Sequence, residues 1–414
     1  MSTTTADTTC RGCSLLCDDL TISIREQELI LCENACPTAQ EWFQTALHVE
    51  REDYNADAAI KIAKKWLQEA GSTLICGLEG LALQAETSLI NLALKEQAFL
   101  SAGTSPEKTA AYQRYGGASC TLGEVRQRAD LILAGNVDLL STWPRFEQQV
   151  LSKKSRFLSP DQPRSLIFLG DANLLKEPSR YSEVIDVPQG QLDQAILLLR
   201  RFCKNQSEKI DSREKAESEN VLKSDVIKQI QQLAEQLLAA EYPVLFHDDS
   251  LAQKQFLWAK LVSEVNQKSR LHSLTVFAGR AKGAASETIL AMTGFPDQIA
   301  FRNKEILHDR HRYQAARLIE NNEVDLIIYA GDLLSEKWSK VFQKLTSSAR
   351  LIVIHSGITE LPQFDASTVQ ILTQVPGIHE AGTTIRCDGV PLPLRSVTCS
   401  PLQSVCDVVK SLLE

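Results

Sequence analysis

Apolar and polar residues follow one another along this chain in blocks that predict β-strands and amphipathic helices in turn. Short apolar runs predict buried strands at residues 73–77, 130–136, 165–171, 243–247, 325–332 and 351–357. Apolar stripes with a helical repeat predict helices at residues 57–70, 81–98, 226–240 and 250–265. Strands that alternate with helices are typical of parallel sheets. Because both halves of the chain show the same order, the pattern predicts an α/β protein with two Rossmann-like lobes.

Cysteines and charges divide the chain further. Five of the eleven cysteines lie within residues 10–36, which predicts a small N-terminal cysteine-rich domain. Residues 204–225 hold 11 charged side chains among 22 and predict a solvated linker or insertion. The predicted divisions are the cysteine-rich domain at 1–50, a first α/β lobe at 51–203, the linker at 204–225, a second α/β lobe at 226–365 and a C-terminal segment at 366–414.

Composition and charge exclude several classes of protein. Hydrophobic residues make up 43% and charged residues 23% of the 414 residues, as in folded globular proteins. The net charge of −8 argues against nucleic acid or an anionic membrane as the main partner. No apolar run approaches the roughly 18 residues that a membrane span needs. The first residues lack the pattern of a signal peptide, so we expect a cytoplasmic protein.

The strongest chemical motif is Cys10-Arg-Gly-Cys13-Ser-Leu-Leu-Cys17, which is followed by Cys36. Closely spaced thiolates can hold the neighbouring irons of a [4Fe–4S] cluster. Four such thiolates can also bind zinc in a tetrahedron. A third interpretation is a relic of such a site that no longer holds a metal. Cys32, which follows Leu31, is expected to be a buried small hydrophobe rather than a ligand.

Other candidate motifs favour a structural interpretation. The phosphate-binding and dinucleotide-binding glycine motifs are absent from the sequence, which argues against ATP and NAD enzymes. His247 and His355 end predicted strands, where ligands bind in open α/β folds, but we expect hydrogen-bonded structural histidines there. His308 and His311 are spaced to share a helix face, and we expect both to be exposed. Residues 121–130 predict a short polar helix, with an arginine site for an anion as the alternative.

Several motifs together resemble the B subunit of formylmethanofuran dehydrogenase. They are the cysteine segment at 10–19, Asn34-Ala-Cys36, Cys120-Thr-Leu-Gly-Glu-Val-Arg-Gln-Arg-Ala-Asp130 and Asp388-Gly-Val-Pro-Leu-Pro-Leu-Arg395. The resemblance covers nearly the whole chain and implies a molybdopterin oxidoreductase-like fold. It also implies a [4Fe–4S] cluster on Cys10, Cys13, Cys17 and Cys36, and a tungsten or molybdenum bis-pterin between two α/β lobes.

The sequence departs from this family at one decisive segment. Redox-active members carry a metal-ligating cysteine or selenocysteine in a Cys-His-Gly-Pro segment that precedes Thr-Leu-Gly-Glu-Val. Here the corresponding stretch is Ala102-Gly-Thr-Ser-Pro106, without cysteine or histidine. Cys120 is a poor replacement, because relatives that keep the ligand cysteine also have a cysteine at that place. We therefore expect tungsto- or molybdopterin to be absent, and we assign neither catalytic nor pterin-binding residues.

This pattern is similar to that of the bacterial formyltransferase/hydrolase complex of one-carbon metabolism. The resemblance implies a structural, non-redox subunit in a pathway of formaldehyde oxidation, in which a formyl group passes from tetrahydromethanopterin to a methanofuran-type carrier and is hydrolysed to formate. The implied partners are a zinc hydrolase, a formyltransferase and a glutamate-synthase-like subunit. Two alternatives stay open: an active formylmethanofuran dehydrogenase subunit with W/Mo-pterin and a [4Fe–4S] cluster, and a metal-binding assembly module outside this pathway.

Overall fold

The computed structural model describes residues 4–48, 54–103, 106–158, 164–204, 222–248, 252–332, 336–345, 349–358 and 367–414. The strands are β1 (Thr4–Thr8), β2 (Leu20–Arg25), β3 (Glu28–Glu33), β4 (Thr73–Gly77), β5 (Phe99–Ser101), β6 (Leu131–Gly135), β7 (Ser165–Gly170), β8 (Glu183–Asp186), β9 (Val244–Asp248), β10 (His272–Val276), β11 (Ile299–Arg302), β12 (Glu305–His308), β13 (Leu326–Ala330), β14 (Arg350–His355), β15 (Ser367–Leu372), β16 (Gly382–Ile385) and β17 (Pro391–Leu394). The helices are α1 (Pro37–Leu47), α2 (Ala56–Glu69), α3 (Leu83–Lys95), α4 (Pro106–Tyr115), α5 (Leu122–Arg128), α6 (Leu139–Thr142), α7 (Leu192–Lys204), α8 (Ser224–Ala239), α9 (Ala252–Val265), α10 (Ala285–Thr293), α11 (Ala315–Glu320), α12 (Glu336–Phe342) and α13 (Val405–Leu413).

The chain folds into two compact units, and each unit combines separate stretches of sequence. Unit 1 comprises Met1–Thr104, Arg280–Arg386 and Val390–Glu414. Unit 2 comprises Ser105–Gly279 and Cys387–Gly389. The chain therefore leaves unit 1 after β5, builds most of unit 2, and then returns to complete unit 1.

Unit 2 is built on a five-stranded parallel sheet in the order β10-β9-β6-β7-β8. The central strand β6 pairs in register with β7, so that Leu133 lies beside Ile167. Helices α7, α8 and α9 supply the apolar core on one face of this sheet. On the other face the rings of Trp143 and Phe146 meet that of Phe246. The strands are nearly continuous apolar runs because both faces of a parallel sheet are buried.

Unit 1 contains a seven-stranded sheet in the order β12-β11-β5-β4-β13-β14-β15. The strands from β5 to β15 in this order are parallel, whereas β11 is antiparallel to β5 and to the edge strand β12. Helices α2, α3 and α13 pack against one face of the sheet. Helices α11 and α12 pack against the other face. The apolar cores on the two faces of this sheet therefore each combine residues that precede and residues that follow Ser105–Gly279 in the sequence.

The N-terminal part of unit 1 is a three-stranded antiparallel sheet in the order β1-β2-β3, followed by α1. The cysteine-bearing residues 10–17 connect β1 to β2. Cys32 lies on the edge strand β3 opposite Ile22 and is half-buried, not fully buried as expected. An edge strand of a three-stranded sheet lacks a neighbour on one side, which leaves that side chain partly open to solvent.

The predicted fold class is confirmed: this is an α/β protein with parallel sheets. The six predicted strands correspond to β4, β6, β7, β9, β13 and β14. The four predicted helices correspond to α2, α3, α8 and α9. Local signals explain some boundaries, since the Asn55 side chain accepts the Ala58 N–H at 3.0 Å and caps α2.

The strands combine in an order that the predicted sequential lobes do not follow. β4, from the predicted first lobe, pairs along its length with β13 from the predicted second lobe. In the same way β9 pairs with β6. An apolar run shows that a strand is buried but carries little information about which other strand lies beside it. The predicted linker at 204–225 lies mostly outside the described residues, which exclude 205–221.

His308 and His311 do not share a helix face, and of the two only His311 is exposed as expected. His308 ends the short strand β12, and His311 lies in the turn that follows. The Asp309 carboxylate accepts the N–H groups of His311 and Arg312 at 2.9 and 2.8 Å, which stabilises a turn instead of a helix. Among the described residues, no helix is both long enough and apolar enough to cross a membrane.

Candidate functional site

Residues 10–17 form a closed loop that carries three of the four predicted metal ligands. The Cys10 N–H donates to the Cys17 carbonyl oxygen at 2.8 Å and closes the loop. Leu16 adopts the left-handed conformation, with a φ of 50°, and its N–H donates to the Cys13 carbonyl oxygen at 3.3 Å. Cys10, Cys13 and Cys17 are all buried. The loop thus holds three thiols inside the protein.

Cys36, the fourth predicted ligand, lies at the amino end of α1, which packs against the loop. Its backbone is extended, and Pro37 begins the helix with a favourable backbone angle. Gly12 makes the contact with the helix: a Cβ atom there would lie 2.9 Å from the Thr38 carbonyl oxygen and 3.2 Å from the Trp42 Cβ. Glycine is required at this position because any side chain would separate the loop from α1.

The other three thiols act on Cys10. Burial raises the pKa of the Cys10 thiol well above its usual value, and the charges of Cys13, Cys17 and Cys36 raise it further. The Gly12 N–H donates to the Cys10 Sγ at 3.3 Å and acts in the opposite direction. The four predicted ligands therefore lie in one neighbourhood of unit 1.

The cysteines have the donor atoms that a metal centre needs, but their side chains are not grouped around a common point. Thiolates are the donors that both iron–sulfur clusters and structural zinc use. Yet across the described ranges no three His, Cys, Asp or Glu side chains are grouped as metal ligands would be. The assignment of a cluster to Cys10, Cys13, Cys17 and Cys36 remains a prediction.

Arg11, between the first two cysteines, connects the loop to the unit 1 sheet, and the sequence did not single it out. Its guanidinium group is buried and donates to the carbonyl oxygens of Gly80 and, at 3.3 Å, Pro376. The same group lies 3.6 Å from the Asp332 carboxylate. Gly80 follows β4 and Asp332 follows β13, so Arg11 reaches the carboxyl edge of the sheet, where open α/β folds bind ligands.

Further charged groups surround Asp332. Burial raises the pKa of the Asp332 carboxyl, while Arg11 and the Ser356 side chain lower it. The Ser356 N–H donates to the Asp332 Oδ1 at 3.1 Å. Burial, with the nearby charge of Asp332, raises the pKa of Glu380 to about 7. Burial lowers the pKa of Arg280, and Asp332 opposes that shift. The carboxyl edge of the unit 1 sheet is therefore a buried cluster of ions.

Glu86 on α3 is a second buried carboxyl group near this edge, with an exposed fraction of 1%. It accepts a hydrogen bond from the Thr288 hydroxyl at 2.5 Å and another from the Ala284 N–H at 3.2 Å. Burial nevertheless raises its pKa to about 7, because these bonds and the charge of Arg11 only partly offset desolvation. Glu86 and Glu380 can therefore hold or release protons near neutral pH.

The cluster can position the cysteine loop and hold protons. A buried ion pair is costly to form, but removing one partner leaves an uncompensated charge and is strongly destabilising. Arg11 is held between Gly80, Pro376 and Asp332, which come from three distant stretches of the chain. The loop can therefore shift only if this whole network rearranges.

Comparison with known proteins adds the family context. No protein-family model matches the chain. The B subunit of the tungsten-containing formylmethanofuran dehydrogenase 2 of Methanocaldococcus jannaschii is 20% identical over 428 residues, which cover 95% of this chain and 93% of that protein. The predicted resemblance to the B subunit of formylmethanofuran dehydrogenase is confirmed.

A solved structure shares the fold. It is the formyltransferase/hydrolase complex of Methylorubrum extorquens, determined in complex with methylofuran. One of its chains matches this one with a TM-score of 0.68 and 21% identity, over 88% of this chain and 96% of that chain. The α/β architecture described above is thus also present in a chain of a multi-subunit complex.

The segment that departs from the redox-active formylmethanofuran dehydrogenases is partly described. Residues 104 and 105 lie outside the described ranges. The Ala102 N–H donates to the fully buried Asp297 carboxylate at 2.7 Å. Gly103 has a φ of 81°, and a Cβ atom there would lie 2.9 Å from the ring of the buried Trp338. The backbone at Gly103, near the start of this segment, is therefore packed against the indole ring of Trp338.

Two of the motifs that carry the family resemblance meet in unit 2. Thr121 and Glu124 form a reciprocal capping box at the start of α5, as the predicted short helix requires. The Asp388 carboxylate accepts the Leu122 N–H at 2.7 Å and adds to this cap. Burial raises the pKa of the adjacent Cys120 thiol to about 12, so this cysteine is a poor thiolate donor.

The two histidines at strand ends have structural partners. His247 lies in β9, its Nδ1 is 3.2 Å from the Asp248 carbonyl oxygen, and its ring stacks on Trp258. His355 ends β14, and its Nδ1 accepts the Gly357 N–H at 3.2 Å. These contacts support the expectation of hydrogen-bonded structural histidines. A small pocket of unit 2 is lined by His247, Gln255 and Ser273.

Proposed function

We propose that this chain is the non-redox B-type subunit of a formyltransferase/hydrolase complex in one-carbon metabolism. The close packing of Gly103 against Trp338 is the observation that supports this proposal. When the Cys-His-Gly-Pro segment of the redox enzymes is matched on its proline to Pro106, the ligand cysteine falls on Gly103. A Cβ atom at Gly103 would contact Trp338 at 2.9 Å. The position thus lacks the thiol and has little room for one.

In the proposed complex the chemistry takes place on other subunits. A formyltransferase would move the formyl group from tetrahydromethanopterin to a methanofuran-type carrier, and a zinc hydrolase would release formate. A glutamate-synthase-like subunit would complete the assembly, in the cytoplasm. The role of this chain would be to hold these subunits together. The shared fold with a chain of the Methylorubrum complex supports this role.

Metal analysis of the purified complex tests the proposal. The chain is tagged in its own host, the complex is isolated without oxygen, and tungsten, molybdenum, iron and zinc are measured per copy of this chain. We expect formyltransferase and hydrolase activities to copurify with the chain, without stoichiometric tungsten or molybdenum. Stoichiometric tungsten or molybdenum would support the alternative, an active formylmethanofuran dehydrogenase, which the retained cysteine quartet favours.

We further propose that any cluster on Cys10, Cys13, Cys17 and Cys36 serves the fold rather than electron transfer. Because metal binding and folding are coupled, losing one ligand would destabilise the N-terminal residues. We expect Cys13→Ser to lower the unfolding temperature and increase proteolysis within residues 1–50, while hydrolase activity persists until assembly fails. Cys399→Ser, at an exposed cysteine, is the matched control. If the two variants behave alike, the structural role is wrong.

A further inference from the structure

The amino edge of the unit 2 sheet presents an exposed aromatic ring in a fixed position. Phe157 has an exposed fraction of 63%. The Ser155 hydroxyl oxygen accepts the N–H groups of Phe157 and Leu158 at 3.1 and 3.0 Å, and the hydroxyl donates to the Gln127 carbonyl at 2.6 Å. These bonds attach the segment to α5. An apolar side chain that is both exposed and rigid is suited to binding, because little conformational freedom is lost when it is covered.

Arg128 connects this ring to the body of unit 2. Its guanidinium carbon lies 4.7 Å from the centre of the Phe157 ring and 6.0 Å from that of Tyr242. Tyr242 in turn stacks on His272, with 4.4 Å between the ring centres. Phe157, Arg128, Tyr242 and His272 therefore form a row of planar groups, with the Phe157 ring at its outer end. The cation–π contact holds Arg128 beside that ring.

The surroundings of Phe157 are basic in a chain whose net charge is −8. Lys153, Lys154 and Arg156 are exposed and lie within four residues of Phe157 in the sequence, and Arg128 is exposed as well. Two acids in this region are Glu124, which interacts with Arg128 and also accepts the Thr121 N–H at 2.8 Å, and Glu147, which is paired with Arg180 at 2.5 Å. The four exposed basic side chains outnumber these acids. This region, defined here as the Phe157 patch, consists of Phe157, Arg128, Lys153, Lys154 and Arg156.

The patch lies at the amino ends of the strands. Arg128 precedes β6, Tyr242 precedes β9, and His272 begins β10. Small ligands of open α/β folds bind at the opposite, carboxyl edge. An aromatic residue with arginine and a charged rim is typical of the centre of a protein–protein interface. A basic surface on an acidic chain is complementary to an acidic partner.

We propose that the Phe157 patch binds an acidic segment of another subunit, with an apolar side chain of that segment against the Phe157 ring. This inference rests on the proposed function, since it takes the partner to be a subunit of the same complex. A polypeptide is favoured over nucleic acid because the −8 charge of the whole chain repels a long polyanion, whereas a short acidic segment meets mainly the patch.

The test compares assembly of tagged wild-type and variant chains with the other subunits of the purified complex. The dissociation constant is measured by mass photometry at low and high salt. We expect Phe157→Ala to weaken assembly by about tenfold or more and Phe157→Trp to retain it. We expect Lys153→Glu with Lys154→Glu to raise the dissociation constant about tenfold at low salt and to reduce its salt dependence.

Matched controls lie elsewhere on unit 2. Leu174→Ala removes another exposed apolar side chain, and Lys223→Glu with Lys228→Glu makes the same change of charge on exposed residues near the start of α8. Both controls should assemble like the wild type, and every variant should keep the wild-type unfolding temperature.

The outcomes separate the two proposals. If the wild type copurifies with no formyltransferase or hydrolase subunit, the proposed function fails. If the wild type assembles and both patch variants assemble equally well, the docking inference is wrong. It is also overturned if the patch variants lose binding to a single-stranded DNA or RNA probe while their assembly with the other subunits is unchanged.

Discussion

The carboxyl edges of the two parallel sheets are filled in different ways. In unit 1 the edge holds ions, with Arg11 between Asp332 and the backbone of the residues around it. In unit 2 close packing fills part of the edge, and the carboxylates of Asp138, Asp171 and Asp186 accept backbone N–H groups there. A Cβ atom at Gly135 would lie 2.8 Å from the Trp258 ring, and one at Gly170 would lie 2.6 Å from the Asn136 Oδ1.

This difference shows that the carboxyl edge of a parallel sheet can be stabilised either by buried ion pairs or by close packing. Buried ions persist only while each keeps its partner, so unit 1 is sensitive to the loss of a charge. Close packing persists only while volumes match, so unit 2 is sensitive to an added atom. The edge of unit 1 therefore has carboxyl groups that exchange protons near neutral pH, whereas the close contacts at the edge of unit 2 contribute to its packing.

The largest expected effect is that of Asp332→Ala in unit 1. The change removes the carboxylate 3.6 Å from the buried Arg11 and leaves that cation with only the weaker interactions of Glu86 and Glu380. We expect the free energy of unfolding to fall by about 3–5 kcal/mol in urea titrations. Glu264→Ala, which breaks the more exposed Arg200 pair of unit 2, should cost less. Equal losses would show that the unit 1 ions are not energetically special.

The pH dependence of stability should also arise in unit 1. Because the pKa of folded Glu86 is about 7 and the ordinary value is 4.5, the folded protein keeps a proton that the unfolded chain has released between these values. The free energy of unfolding should therefore fall by about 3 kcal/mol as the pH rises from about 4.5 to about 7, then level off. Glu380 acts in the same direction.

Substitution identifies the groups that cause this pH dependence. Glu86→Gln should flatten much of the fall, and Glu235→Gln, at an exposed glutamate of unit 2, should leave it unchanged. The measurement is urea unfolding at a series of pH values. A wild-type protein whose stability is constant across this range would contradict the assignment.

Gly135→Ala tests the close packing of unit 2. The added methyl group would overlap the Trp258 ring, and overpacking of this kind costs about 1–3 kcal/mol. Gly190→Ala is the matched control, because no atom lies within 4 Å of the added Cβ. Thermal unfolding distinguishes the two variants. If both unfold at the wild-type temperature, the edge of unit 2 is looser than described.

The smallest expected effect compares two helix caps, one in each unit. Thr121→Ala removes the cap of α5 in unit 2, and Ser404→Ala removes that of α13 in unit 1. Each should lower the free energy of unfolding by about 1 kcal/mol, because one helix N–H loses its acceptor. The free energy of unfolding of both variants is measured by chemical denaturation. Similar losses would show that a helix cap contributes equally in both units, and a threefold difference between the two losses would refute this.

The sequence predicted the central strands well and the site only in part. An apolar run such as 130–136 marks β6 because both faces of that strand are buried. The four-residue strands β11 and β12 lacked such a run and were missed. Arg11 and Asp332 escaped notice because their pairing depends on the folded chain. An aspartate directly after the apolar run of β13 was the signal that pointed to this edge.

The excursion of the chain into unit 2 has a consequence for protein synthesis. The apolar strand β4 emerges early from the ribosome, but its neighbour β13 follows some 250 residues later. At the usual rates of translation, β4 therefore waits more than ten seconds for its partner. The Ser105–Gly279 stretch can collapse in that interval, so the unit that begins second completes its sheet first. During that time the apolar strands β4 and β5 lack their later neighbours β13 and β11.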